Sequence, residues 1–160
     1  MTTTPSPSRT DTASRLVAAS SGAIYRALVD PDALMAWLPP RGMRGRALLF
    51  EPWKGGRYRI ELTYESAAPP GGRGKSDALC DISTGRFLTL EPGRRIVQSA
   101  VFESDDPAFA GEMVVTWSFE PMDEGTIVTV TAQNVPAGIS AEDHEAGLIS
   151  SLGNLARFVE

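Results

Sequence analysis

The chain carries one histidine, His144, and one cysteine, Cys80. Together they could form a nucleophile pair, in which an imidazole takes the thiol proton and leaves a reactive thiolate. Cys80, however, alternates with Ala78 and Ile82, and that company suits a small buried hydrophobe. His144 falls in the first turn of the expected last helix. It could hydrogen-bond a ligand or exchange a proton with one, and a plain surface histidine is the alternative. A zinc site normally draws several Cys or His ligands, and one of each makes no metal set. Gly71-Gly72-Arg73-Gly74 lacks the strand-to-helix context of a dinucleotide site, and no phosphate-cradling Gly-x-x-x-x-Gly-Lys occurs. Glu61 and Asp81 read as strand carboxylates without a visible partner. No catalytic constellation emerges, so no catalytic residue, metal or cofactor is expected.

These residues sit in a chain of 160 residues, 42% of them hydrophobic. That is enough for one globular domain with a full core and room for a cavity. The net charge of −5 argues against general nucleic-acid binding, which needs basic surface to neutralise phosphates. Arg41, Arg44, Arg46, Lys54, Arg57 and Arg59 cluster in sequence, and they read as a solvated strand face. No apolar run approaches the ~20 residues of a membrane-spanning helix, so no membrane partner is expected. The opening Met1-Thr2-Thr3-Thr4-Pro5-Ser6-Pro7-Ser8 has neither the basic region nor the apolar core of a secretory signal. Residues 1–12 read as a disordered tail and 13–160 as a single domain. One cysteine makes an internal disulfide impossible, and a cytoplasmic location is expected.

The elements that must position any site follow from periodicity and punctuation. Residues 15–19 read as a first strand. Ser20 or Ser21 can cap a short helix whose apolar face is Ile24, Ala27 and Leu28. Asp30-Pro31 ends it and starts a second, because the residue before proline disfavours helix while proline suits a first helical turn. Leu34, Trp37 and Leu38 form the next stripe, stopped by Pro39-Pro40. Strands are predicted at 46–51 and 57–65, with Gly55-Gly56 as the turn. In the second, Tyr58, Ile60, Leu62 and Tyr64 share one face. Residues 66–75 read as a loop, and 76–83 with 86–91 as one long strand bent at Gly85. Strands at 95–103, 112–120 and 126–135 follow, the middle one placing Met113, Val115, Trp117 and Phe119 together. Ser140-Ala141-Glu142-Asp143 resembles a capping box for a last helix. Its stripe takes in Leu148, Leu152 and Leu155, and Gly147 and Gly153 in its interior suggest either a close approach or tolerated glycines.

This order resembles the START-like helix-grip fold of the SRPBCC superfamily. Within it the chain is similar to the family named after the activator of the ninety-kilodalton heat-shock protein ATPase. The match is carried by Ile24-Tyr25-Arg26-Ala27-Leu28 with Asp30-Pro31 and Trp37-Leu38-Pro39, and by Gly55-Gly56-Arg57-Tyr58. Gly85-Arg86 with Leu90-Glu91-Pro92-Gly93-Arg94-Arg95-Ile96-Val97, and Gly125-Thr126 with Gly147-Leu148, complete it. Leu148 stands where the family usually has tryptophan. The resemblance implies an α+β fold: a curved antiparallel sheet of six or seven strands, two short helices after strand 1, and a long C-terminal helix on the concave face.

The resemblance also implies a container. The leading expectation is a binding module for a small hydrophobic or amphipathic molecule, held between sheet and C-terminal helix. Candidate lining residues are Trp37, Tyr58, Ile60 and Trp117, with Phe119, His144, Leu148 and Leu152. Filled core is the other reading of such aromatic stripes. A polyketide cyclase or aromatase-like enzyme, using Tyr64 or His144 as acid or base, is an alternative. So is a heat-shock ATPase co-chaperone, although a single domain makes a chaperone partner a lesser expectation. Edge strands and apolar helix surface would allow a homodimer.

Overall fold

In the computed structural model, residues 9–39, 42–64 and 80–160 are described. The expected loop at 66–75 and residues 1–8 of the expected tail lie outside them. The chain runs β1 (Thr10–Val17), α1 (Ser21–Val29), α2 (Pro31–Trp37), β2 (Met43–Phe50), β3 (Arg57–Tyr64), β4 (Cys80–Glu91) and β5 (Arg95–Phe102). After a short 3-10 turn at Pro107–Phe109 come β6 (Met113–Met122), β7 (Gly125–Gln133) and α3 (Ala141–Val159). The strands form one antiparallel sheet in the order β1-β7-β6-β5-β4-β3-β2. The first strand therefore closes against the last, and β2 is the opposite edge.

The helix boundaries follow local chemistry. The Ser20 side chain accepts the Ala23 N–H at 3.1 Å and starts α1. Asp30 ends α1 and caps α2, its carboxylate accepting the Asp32 N–H at 3.0 Å, with Pro31 in the first turn where its missing N–H is no loss. Ser140 caps α3 by accepting the Asp143 N–H at 3.0 Å, and Glu142 and Asp143 face the positive end of the helix dipole. β1 begins at Thr10, earlier than the expected 15, and takes in residues 10–12 of the expected tail. Its register with β7 runs from Thr10 opposite Gln133 to Val17 opposite Thr126. The ladder offered by β7 extends the strand, a long-range gain that no local pattern in residues 9–14 records.

Ala100, Met113, Ala132, Val135 and Ile139 form the smaller of two core clusters, and the larger packs on the concave face. Trp117, Phe119, Val128 and Val130 from β6 and β7 meet Leu152, Leu155 and Ala156 of α3 and Ile24, Ala27 and Leu28 of α1. Each such large side chain contributes about 1.5–3 kcal/mol when fully buried. Among the described residues, no helix is long and apolar enough to cross a membrane.

Two glycines behave in opposite ways. At Gly85 an added Cβ would lie 1.9 Å from the Ser99 carbonyl oxygen and 2.9 Å from the Tyr58 ring, so only glycine fits. At Gly147, on the exposed side of α3, an added Cβ would meet nothing within 4 Å. At Gly153 it would meet only the guanidinium ends of Arg157 and Arg15, at 3.6 and 3.8 Å. The helical glycines are tolerated, with no backbone pressed against them. Gly147→Ala should therefore stabilise the fold by about 1 kcal/mol, raising Tm by about 2–4 °C. Gly85→Ala should cost about 1–3 kcal/mol through overpacking. Thermal melts of the two variants check both signs, and a melting point unchanged or lowered by Gly147→Ala would contradict the open site.

Candidate functional site

Over one half of the sheet, α1 and α2 leave a cavity of about 170 Å³. Leu28, at the end of α1, and Leu34 and Leu38, on and just after α2, form its roof. Its floor is built from the inward faces of five strands: Phe50 of β2, Tyr58 and Ile60 of β3, Ser83 and Phe87 of β4, Gln98, Ala100 and Phe102 of β5, and Trp117 of β6. None of these described residues belongs to α3. The cavity lies beneath the two short helices, while the buried stripe of α3 packs against α1 and the β6–β7 face.

Aromatic edges stiffen the walls. Trp37 meets Trp117 edge-to-face with ring centres 5.9 Å apart, and its indole N–H donates to the Ala27 carbonyl at 2.9 Å. Phe87 stacks edgewise on Phe50 at 5.5 Å and tilts against Tyr58 at 5.6 Å. Such pairs contribute about 0.5–1.5 kcal/mol beyond their burial. The Tyr58 hydroxyl crosses β4 and donates to the Ser99 carbonyl at 2.5 Å. Burial pushes the Tyr58 phenol up to about 12, against a lowering hydrogen bond from the Gln98 side chain and with a further rise from the Glu112 charge.

Of the expected lining residues, Tyr58, Ile60 and Trp117 face the cavity. Trp37 stands behind Trp117 and faces a separate surface groove with Asn154, Arg157 and Phe158. Phe119 and Leu152 are buried in the core, and Leu148 is half-buried against it. His144 is elsewhere: its Nδ1 lies 2.7 Å from the Asp11 carboxylate, which also accepts from Arg9 at 3.1 Å. The Asp11 side chain is only 7% exposed, so this triad is a polar clasp between the start of α3 and β1. Sequence reasoning passed over Phe50, Phe87 and Gln98. The signal for Gln98 was its place in the period-two series Ile96, Gln98, Ala100, Phe102, a polar residue on an apolar face.

The conceivable Cys80–His144 pair is overturned. Cys80 begins β4 opposite Thr63 of β3, whereas His144 is held on β1, with β5, β6 and β7 between. At about 4.8 Å per strand step that is far beyond proton-transfer reach. Three arginines of the basic cluster are matched by carboxylates, and Arg41 lies outside the described residues: Arg46 with Glu61 at 3.5 Å, Arg57 with Glu51 at 3.3 Å, and Arg59 with Glu103 in a two-pronged pair at 2.6 and 2.9 Å. Glu61, which reads as unpartnered in sequence, is thus paired. The Arg59 hydrogen bond holds the Glu103 carboxyl below the usual carboxylate range. Among the described residues no cluster of three or more His, Cys, Asp or Glu could hold a metal ion.

A seven-stranded curved antiparallel sheet that grips a long C-terminal helix, with two short helices over its open half, defines an α+β helix-grip protein. The chain belongs to the family described as "Activator of Hsp90 ATPase homolog 1-like protein", whose model matches residues 18–160. Among solved structures it is similar to a protein from Chromobacterium violaceum, with 30% identity, coverage of 94% of this chain and 96% of that one, and a TM-score of 0.83. A Rhodobacter sphaeroides protein shows 26% identity over 91% and 88% of the two chains, with a TM-score of 0.72. The AHSA1-like protein from Aeromonas hydrophila, at 18% identity, 94% and 92% coverage and a TM-score of 0.69, shares the fold. No curated protein matches the chain.

The Tyr58 shift has a defined sign. An unfolded tyrosine ionises near pH 10, while folded Tyr58 keeps its proton to about 12. The folded state then holds a proton that the unfolded chain has released. Its stabilising effect is complete below pH 10 and is lost as the pH rises from about 10 to 12, on the order of 2–3 kcal/mol in all. Tyr58→Phe should remove that part of the alkaline slope and the last tyrosine step in an absorbance titration. An unchanged last step would show that Tyr58 is not the late-titrating group.

Proposed function

We propose that this protein binds a small apolar ligand in the cavity beneath α1 and α2. The observation that carries the reading is a partly open space of about 170 Å³ with an apolar lining interrupted by few polar groups, the usual composition of a ligand site. Its walls are pre-formed, since Tyr58 is tied to the Ser99 carbonyl, Trp117 is braced by Trp37, and Phe50 and Phe87 brace each other. A preformed pocket lowers the ordering cost of binding. The protein acts as a binding module, because the one His–Asp pair sits on β1 and the cavity offers no matched acid and base. The chaperone activity named in the family's description has no comparable feature of this chain behind it.

A thermal-shift screen of hydrophobic small molecules tests the reading. A ligand at 100 times its Kd should add ~2.7 kcal/mol, which for a domain of this size is roughly 5–10 °C in Tm. Ala100→Leu, which fills space on the cavity floor, should abolish the shift while leaving the protein folded. A ligand shift retained in full by Ala100→Leu would put the binding elsewhere.

A further inference from the structure

We infer that the occupant of this cavity is an uncharged, single-ring molecule carrying one hydroxyl or carbonyl group, an inference that rests on the binding reading above. Size sets the first limit. A dry cavity of about 150 Å³ accepts a benzene-sized ring, and drug-sized ligands need about 300 Å³ or more. At about 170 Å³ the space takes one substituted ring whole and leaves part of a fused bicycle or an acyl chain outside.

Charge sets the second limit. Among the described residues lining the cavity, none is ionisable except Tyr58, and its proton is committed to the Ser99 carbonyl. The remaining charge acting on that phenol is the negative Glu112. A carboxylate or phosphate entering here would lose its hydration with no cation to replace it. An ammonium group would likewise find no carboxylate among the lining side chains.

The third limit is the polar group itself. Gln98 projects its amide into the apolar face formed with Ala100 and Phe102, beside the Tyr58 phenol. An amide has two donor positions and an acceptor oxygen, and the phenol occupies one of them. Gln98 lines the cavity, and a hydroxyl or carbonyl on the ring would offer its amide a further partner. A wholly apolar ring would cover this half-buried amide without offering it a partner, which is unfavourable.

The test is a titration of the purified protein, followed by calorimetry and tryptophan fluorescence, with toluene, phenol, benzyl alcohol, benzoate and 1-naphthol. Phenol and benzyl alcohol should bind, toluene about tenfold more weakly than phenol, and benzoate at least about 100-fold more weakly than benzyl alcohol. Naphthol should bind more weakly than phenol. Gln98→Leu should erase the advantage of phenol over toluene while toluene still binds. Equal affinity for toluene and phenol would overturn the role of Gln98. Benzoate binding as tightly as benzyl alcohol would overturn charge exclusion, and tight naphthol binding the size limit. If none of the uncharged rings binds the folded protein, the cavity reading itself fails, a result distinct from a wrong preference among rings that do bind.

Discussion

The Tyr58 ring lies over Gly85 and its hydroxyl reaches the Ser99 carbonyl, so one side chain of β3 ties together β3, β4 and β5. Glycine is required at 85 because the space of a Cβ is already occupied. The crossing interrupts the β4–β5 ladder, which pairs Thr84 with Val101 and resumes at Phe87 with Gln98. A buried amide left without an acceptor would be costly, and here the Arg86 N–H donates to the Ser99 hydroxyl at 2.9 Å. Ser99 thus accepts twice, once through its carbonyl and once through its side chain. The floor of the cavity depends on this arrangement. Tyr58 supports Phe87, Phe87 supports Phe50, and the polar oxygen of the ring stays satisfied and out of the apolar space.

The two halves of the concave face serve different ends. Under α3 the sheet is packed solid, with Leu152, Leu155 and Ala156 against the β6–β7 face. Under α1 and α2, two short helices separated at Asp30-Pro31, a cavity remains. Trp37 stands at the boundary, its indole N–H satisfied by the Ala27 carbonyl and its edge against Trp117. The start of α3 projects beyond the core, with Gly147 and Ile149 exposed. It is tethered there by Leu148 and by the His144–Asp11–Arg9 clasp, so the single histidine is used to anchor a helix.

The order of elements was legible in the sequence because each boundary carries its own local chemistry. Asp30-Pro31 both ends and starts a helix, Ser20 and Ser140 cap, and the alternation through Trp117 and Phe119 marks a sheet face. The start of β1 was not legible, since residues 10–14 are strand only through their ladder with β7. Three lining residues, Tyr58, Ile60 and Trp117, could be read from face alternation. Phe87 and Gln98 could not be placed at the cavity without knowing which strands lie side by side and which helix covers them. The departure at Leu148 pointed to α3, which contributes no lining residue to this cavity.

By itself the sequence determined which segments become helix or strand, that one apolar face must be buried, and that Gly85 sits in a strand where a side chain would be usual. Those are properties of neighbours a few residues apart. Tertiary structure alone decided that a cavity lined by Tyr58 and Trp117 lies beneath α1 and α2, that Asp11 claims His144, and that Tyr58 reaches Ser99 across an intervening strand. These contacts join residues 41 to 133 positions apart. They depend on strand order and on how closely helices approach the sheet, quantities set by the whole core at once.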